Sequence, residues 1–473
     1  MTSAIIAILL PSLLGFLALS LLLAHEKDNS PLMRMAMSFP LGMSLVTLQL
    51  FLMGLLRIPF TLQISALLIM LEVVALAVVV WIRKAPLFTK PASGLLSELS
   101  SPSTPWPKKA GLVILALWAA AKICSVFVET DLRPLYAWDS WANWSTGAKS
   151  FYFAKGLLLD TPTQDLFGRG VVLRIMAYPP HNHLMQVWLS LWVGHFDEVL
   201  VKMTSPFYYL SAALFLYALA CREISRLASL ALLVMFMSSP LMSYHAIDVY
   251  SDFPLGVTIL CVVGSFYYAL RGNQAYWILT GIASAQAIFI KEEALFLVIP
   301  IVVSSIAYLA STSDTPGRRN AGILSLLTPF IAVLPWYIFK FRYGLTIGAE
   351  AAASRSLTFH PEVIIPVFQN ILTLENFNII ILAFPLLLIL NGRPSRVHAH
   401  LILPVLCYMA FFLLVYAVSP LHNEHLMSGT IFYRNVLTYY PALCLLTALL
   451  IKNVSEPKRM IKNISEPKKK RAR

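Results

Sequence analysis

Long apolar runs separated by short polar segments occupy most of this chain. Most of the runs have about 17 to 22 residues, which is enough for a helix to cross a hydrocarbon core of ~30 Å. Two runs, 275–290 and 377–391, are shorter than the rest. The pattern predicts about thirteen transmembrane helices, at 3–23, 35–56, 60–82, 110–128, 199–220, 227–244, 253–270, 275–290, 294–310, 320–341, 377–391, 399–419 and 431–451.

The composition agrees with this interpretation. Hydrophobic residues make up 58% of the 473 residues and charged residues 12%, and the mean hydropathy is +0.73. Soluble domains carry about 25% charged residues, so we predict an all-α polytopic membrane protein. The five cysteines show no CxxC spacing, which argues against a disulfide framework and against a zinc site.

The distribution of Lys and Arg predicts the topology, because cytoplasmic loops are enriched in these residues. Basic residues collect in alternate loops, and this places the N-terminus outside and the C-terminus in the cytoplasm. The outer face then receives two long loops, 129–198 and 342–376. Much of the net charge of +13 lies in the tail, which we interpret as a contact with anionic membrane lipids. A nucleic-acid partner is therefore not expected.

These features divide the chain into an N-terminal three-helix group (1–84), a cytoplasmic loop (85–109), a main transmembrane region (110–451) and a basic cytoplasmic tail (452–473). Residues 182–194 of the first outward loop are apolar but too few to span the membrane. We expect them to form an interfacial or re-entrant helix. One acid, Glu72, lies deep in the third apolar run. We favour a structural pairing with Lys122 of the fourth run over a role in proton transfer.

Four polar clusters are predicted on the outer face. The first is Asp139 among tryptophans, in YAWDSWANWS; the second is AYPPHNH, residues 177–183; the third is HAIDVYSDFPLG, residues 245–256; and the fourth is KEEA, residues 291–294. Each cluster alone could simply end a helix in the headgroup region. Four of them on one face favour a cavity, because polar groups at membrane depth are costly without one. Asp248 and Asp252, four residues apart, are expected on one helix face.

The order of these motifs resembles the GT-C superfamily of membrane glycosyltransferases, over about residues 110–451. The resemblance rests on the loop acid Asp139, the Tyr-Pro-Pro segment at Tyr178, the YSDFPL segment, the Lys-Glu-Glu segment and Arg434 in FYRNVLTYYPALCLL. It is greatest to the bacterial branch of aminoarabinose transferases and protein O-mannosyltransferases. It implies a catalytic role for Asp139, a second functional acid at Asp252 and a location in the bacterial inner membrane.

The resemblance also implies a chemistry. A hexosyl or pentosyl group would pass from a polyprenyl-phosphate donor to a lipid, glycan or protein acceptor on the outer side, with inversion and with Asp139 as general base. Cations would stabilise the leaving phosphate. Lys291 and Arg434 are the candidates, with Arg174, Lys149 and Lys202 behind them. Other expected substrate contacts are Glu292, His181, His183, Trp138, Trp141 and Tyr178.

Three points stay open at this stage. The chain has Asp-Ser-Trp in place of the paired Asp-Glu of many relatives, so no cofactor is assigned, although a divalent cation is compatible with the sequence. A transporter or flippase of a lipid-linked saccharide would use the same outward aromatics and cations, but it should show inverted repeats and deep acids. A polymerase or ligase of surface polysaccharide would share the donor chemistry.

Overall fold

The computed structural model describes residues 2–26, 30–87, 94–159, 178–311, 316–342, 359–372, 376–392, 394–418 and 430–455, and these ranges contain helices but no strand. The helices are α1 Thr2–Leu22, α2 Pro31–Leu55, α3 Leu62–Ile82, α4 Leu95–Ser100, α5 Trp106–Leu132, α6 Thr146–Ala154, α7 His181–Val193, α8 Thr204–Glu223, α9 Arg226–Met237, α10 Pro240–Ala246, α11 Asp252–Leu270, α12 Ala275–Ile290, α13 Leu295–Ala310, α14 Pro316–Arg342, α15 Ile364–Leu372, α16 Ile380–Leu390, α17 Arg396–Val418 and α18 Thr430–Ser455.

Every apolar run of the sequence falls on a helix, so the polytopic α-helical fold is confirmed. In the described ranges, ten helices are long and apolar enough to cross a membrane. The run 227–244 forms the two helices α9 and α10, which meet at an angle of 70°. The break precedes Pro240, which cannot continue a helix because it lacks the N–H group. The runs 275–290 and 377–391 form α12 and α16, which are shorter than a full span.

The centre of the bundle is α11, which is buried along its whole length from Asp252 to Leu270. It packs against α8, α12 and α18. Gly256 allows the close approach of α11 to α18, because a Cβ atom there would lie only 2.8 Å from the carbonyl oxygen of Leu437. This contact is about one turn from the N-terminal end of α11 and about two turns from that of α18. It therefore brings the first residues of α11 and α18 together.

The N-terminal helices share one core with the rest of the described chain. Helix α2 packs against α8, and both α1 and α2 pack against α7. The Nε1 of Trp188 in α7 donates a hydrogen bond of 2.7 Å to the carbonyl oxygen of Ala7 in α1. Helix α7 is the short helix predicted for residues 182–194, and protein surrounds it: residues His181 to Leu191 are all buried.

Helices α3 and α5 lie at the outside of the bundle, with large apolar side chains exposed along them, such as Leu67 and Leu117. Helix α3 packs against α1, whereas α5 packs against α8 and α9. The predicted pair of Glu72 with Lys122 is wrong for this reason. Neither residue forms an ion pair with any other residue that the structure describes.

Candidate active site

Five charged side chains from four segments meet at the N-terminal ends of α11 and α18, which the sequence analysis predicts to face outward; we call them the ion cluster. Arg434 donates hydrogen bonds to Asp139 and, through Nε at 2.9 Å, to Asp252. The Nζ of Lys291 lies 2.9 Å from the other oxygen of Asp252 and 3.0 Å from Glu293. The order Asp139, Arg434, Asp252, Lys291, Glu293 thus alternates in sign.

Two members of the ion cluster, Asp252 and Lys291, are buried, and the other three are partly exposed. The side chain of Asp252 is 1% exposed and that of Lys291 7%, whereas the side chain of Asp139 is 21% exposed and that of Glu293 32%. Three carboxylates and two cations leave a formal charge of −1. The side chain of Arg434 is 23% exposed, about as much as that of Asp139, so a ligand meets one cation and two carboxylates, and both cations already hold partners.

Local backbone structure positions each member. Asp252 lies in the first turn of α11, where the helix dipole favours a carboxylate, and Arg434 lies near the start of α18. Lys291 has an extended backbone between α12 and a short 3₁₀ turn. Asp139 directly precedes a π-helical turn, Ser140–Ser145, and its carboxylate accepts a 2.7 Å hydrogen bond from the amide of Asn143 in that turn.

Asp248 has a structural position that the sequence did not predict. It lies before the start of α11, so it does not share a helix face with Asp252. Its buried carboxylate accepts hydrogen bonds from the backbone N–H groups of Ala137, at 3.3 Å, and Val249, at 2.9 Å. Burial raises the pKa of Asp248 above its usual value. This side chain ties the segment that carries Asp139 to the segment before α11.

The two glutamates of the Lys-Glu-Glu segment point in different directions. Glu292 accepts hydrogen bonds from Lys340, at 2.8 Å, and from the indole of Trp336, at 2.7 Å, so it faces α14. Glu293, which the sequence analysis did not select, is the one beside Lys291. Successive residues of a 3₁₀ turn are about 120° apart, and a sequence motif alone does not say which of them faces the site.

His181 and His183 lie in the core and make no hydrogen bond with the ion cluster. The ring of His181 contacts the hydroxyls of Thr47, at 2.7 Å, and Tyr208, at 3.1 Å. The ring of His183 packs 5.3 Å from that of Trp144. Burial lowers the pKa of both histidines to about 3, so both are neutral near pH 7.

Two tyrosines cover the cations. The ring of Tyr178 lies 5.9 Å from Lys291 Nζ, and the ring of Tyr250 lies 5.0 Å from the guanidinium carbon of Arg434. Tyr250 was missed, although it stands two residues before Asp252 in the same motif. Trp138 and Trp141 are exposed, with ring centroids 4.8 Å apart. The tryptophans therefore flank Asp139 on the open side.

The three further cations proposed from the sequence are elsewhere or not described. Lys149 pairs with Glu198 at 2.7 Å. Lys202 is buried and donates hydrogen bonds to the carbonyl oxygens of Arg133 and Pro134. Arg174 lies outside the described residues. Within the described ranges, no three His, Cys, Asp or Glu side chains converge as a metal-binding group.

Comparisons with known proteins agree with this architecture. Residues 179–339 match the family described as dolichyl-phosphate-mannose-protein mannosyltransferase; this segment contains Asp252 and Lys291 but neither Asp139 nor Arg434. The fold is similar to that in the crystal structure of ArnT from Cupriavidus metallidurans bound to undecaprenyl phosphate, with 15% identity and a TM-score of 0.51. The similarity covers 74% of this chain and 62% of that one. No curated protein matches the sequence. The resemblance to the GT-C superfamily is confirmed, and the fold is GT-C-like.

Proposed function

We propose that this protein is a membrane glycosyltransferase that transfers a hexosyl or pentosyl group from a polyprenyl-phosphate donor to an acceptor on the outer face of the bacterial inner membrane. The observation that carries the proposal is the ion cluster, in which a partly exposed carboxylate, Asp139, shares Arg434 with a fully buried one, Asp252. This arrangement offers both a base and a cation at one place.

The two cations suit the leaving group. When the sugar leaves the donor, negative charge develops on the phosphate, and preorganised cations stabilise such charge without reorganising. Asp252 holds Arg434 and Lys291 in fixed positions, since each of its two oxygens contacts one of them. Lys291 keeps its charge for this role: burial alone would lower its pKa, but Asp252 and Glu293 raise the pKa above its usual value.

Asp139 is suited to act as the general base. In the proposed reaction the donor phosphate takes a place beside Arg434, which then exchanges the Asp139 carboxylate for the phosphate. Asp139, still held by Asn143, is then free to accept the proton of the acceptor hydroxyl as that oxygen attacks the anomeric carbon. The bond from oxygen to the anomeric carbon forms as the bond to the phosphate breaks. This single displacement inverts the anomeric centre.

The donor class draws support from the comparisons. The matched family is described by a dolichyl-phosphate-linked sugar, and the crystal structure of ArnT contains undecaprenyl phosphate. An isoprenoid tail would remain in lipid while its phosphate reaches the ion cluster. The exposed indoles of Trp138 and Trp141 fit the membrane–water boundary at which such a headgroup lies.

The decisive test uses purified protein in detergent, where transport across a membrane has no meaning. The protein would be incubated with radiolabelled polyprenyl-phosphate hexose and pentose donors and a panel of lipid, glycan and peptide acceptors. We expect sugar transfer and release of free polyprenyl phosphate in equal amounts. Lys291→Met should lower both together, while Lys155→Met, at an exposed lysine, should change neither.

The competing transporter or flippase predicts a different result. It would move the lipid-linked sugar intact, so neither transfer nor polyprenyl phosphate would appear in detergent. The same protein would then scramble labelled lipid-linked sugar in liposomes. That pair of outcomes would contradict the proposed function.

A further inference from the structure

A cavity of about 220 Å³ lies between the C-terminal half of α5 and the short helix α10. From α5 it receives Lys122 and Glu129, and Arg133 follows directly after the helix; Tyr136, Ser243 and Tyr244 line the rest. The α5 residues are spaced by three, four or seven positions and so form one stripe along the helix. Nothing in the proposed reaction uses this cavity.

Lys122 is the residue that requires an explanation. It lies ten residues before the end of α5 and six before the end of the apolar run 110–128, which is roughly 9 Å inside that run at 1.5 Å of rise per residue. A charged group at such depth is costly unless it faces a cavity or a partner. Lys122 forms no ion pair within the described ranges, whereas Arg133 lies 3.7 Å from Glu129. The cavity wall thus carries one unmatched positive charge.

The rest of α5 is suited to lipid. Trp118, one turn before Lys122 on the same stripe, is exposed, and Val126 lines the cavity, so an acyl or isoprenoid chain can lie beside the lysine. A molecule that fits both the positively charged cavity and the apolar surface of α5 has an anionic headgroup of the size of a phosphate and a long apolar tail. Such molecules are abundant only in the membrane itself.

We propose that this cavity binds the anionic headgroup of a membrane lipid, with Lys122 as its principal contact. The cavity is separate from the ion cluster. The ring of Tyr244 in its wall lies 6.3 Å from that of Tyr250, and Tyr250 in turn covers Arg434. Two tyrosine rings therefore stand between the bound headgroup and the ion cluster.

Two sources would supply this chemistry. One is an anionic phospholipid that stays bound as part of the folded protein. The other, which rests on the proposed function, is a lipid acceptor whose charged group is held in the cavity while its hydroxyl reaches Asp139. The headgroup chemistry is the same in both cases, so binding is tested first and the source second.

The binding test uses delipidated protein in neutral detergent, titrated with dodecyl phosphate and, separately, with uncharged dodecyl glucoside. We expect the phosphate amphiphile to bind and the glucoside to bind far more weakly. Lys122→Met should weaken dodecyl phosphate binding at least about tenfold, since a hydrogen bond to a charged group contributes roughly that factor. Lys122→Arg should retain binding. Glu129→Gln should strengthen it, because the only carboxylate in the cavity wall is removed.

Lys109→Met is the matched control, because Lys109 lies on the same helix but away from the cavity. It should bind dodecyl phosphate as the wild type does. Equal affinity of wild type and Lys122→Met, or no preference of the wild type for phosphate over glucoside, would overturn the proposal. This assay needs no sugar transfer, so its failure leaves the proposed function standing, and failure of transfer leaves the binding result valid.

The second test separates the sources. If the lipid is the acceptor, Lys122→Met should raise the acceptor KM and leave both kcat and the donor KM unchanged. If it is a resident phospholipid, the kinetic constants should stay the same, and the anionic phospholipid that copurifies with the protein should fall by about one molecule per chain. A variant with unchanged kinetics and unchanged phospholipid content would contradict the proposal.

Discussion

Helices α11 and α18 are joined by side-chain ion pairs at both of their ends, and the two groups of ion pairs differ. The ion cluster lies at the N-terminal ends, which are predicted to face outward. At the predicted cytoplasmic end, Glu223 of α8 pairs with Arg271, just after α11, at 2.6 Å and with Lys452 of α18 at 2.7 Å. Both sites centre on a carboxylate whose side chain is 1% exposed.

The difference lies in which charges face outward. Around Glu223 the cations are the exposed groups, with side-chain exposures of 42% for Arg271 and 35% for Lys452. In the ion cluster the cations are less exposed, at 23% for Arg434 and 7% for Lys291, and a carboxylate, Asp139 or Glu293, forms each end. The Glu223 site joins three helical segments while its cations stay in contact with water. The ion cluster keeps Lys291 away from water and places a carboxylate at each end, an arrangement that suits catalysis better than stability.

The largest expected effect is on the rate of sugar transfer, and it concerns Asp139, one end of the ion cluster. Asp139→Asn should lower sugar transfer by roughly 10²–10⁴-fold, the usual contribution of a positioned general base. The melting temperature in detergent should change little, because Asp139 is partly exposed and lies outside the long helices. Asp131→Asn, at an exposed acid just upstream, is the control and should keep full activity. Near-normal transfer by Asp139→Asn would show that this end is structural, like Glu223.

A smaller effect is expected on the free energy of unfolding, and it differs between the two buried carboxylates, Asp252 and Glu223. Asp252→Asn should lower the free energy of unfolding by about 3 kcal/mol, near the low end for breaking a buried pair, because each cation keeps one partner. Glu223→Gln should cost about 1 kcal/mol, since its half-exposed cations return to water. Thermal unfolding in detergent measures both. Sugar transfer should be lost in the first variant and retained in the second; equal losses of stability would remove the distinction between the two sites.

The smallest effect concerns pH. Asp252 and Glu293 raise the pKa of Lys291 in the folded protein, so its contribution to stability is complete below the usual lysine pKa of about 10.4 and declines only above it. The difference in stability between wild type and Lys291→Met should therefore be constant from about pH 6 to 9. A difference that fades between pH 7 and 9 would show that burial outweighs the two carboxylates. Lys155→Met should show little difference from wild type throughout.

Several site residues could be found from the sequence because their chemistry conflicts with their surroundings. Asp139, Asp252, Lys291 and Arg434 interrupt or border apolar runs on one predicted face, and the structure joins all four. The same reasoning also selected His181 and His183, but the structure places both in the core. A histidine in a polar motif is indistinguishable from one that faces the core until its neighbours are known.

Sequence alone determined that this chain is a bundle of membrane helices with acids and bases at one end of it. A 3.6-residue period and a hydrocarbon core of ~30 Å leave few other solutions for runs of this length and polarity. Only the tertiary structure decided which charges meet. Arg434 reaches Asp139 across 295 positions, Glu293 replaces Glu292 beside Lys291, and Lys122 faces a cavity and not Glu72. Such choices depend on helix rotation and packing, of which the close contact at Gly256 is one cause, and a linear pattern contains no information about either.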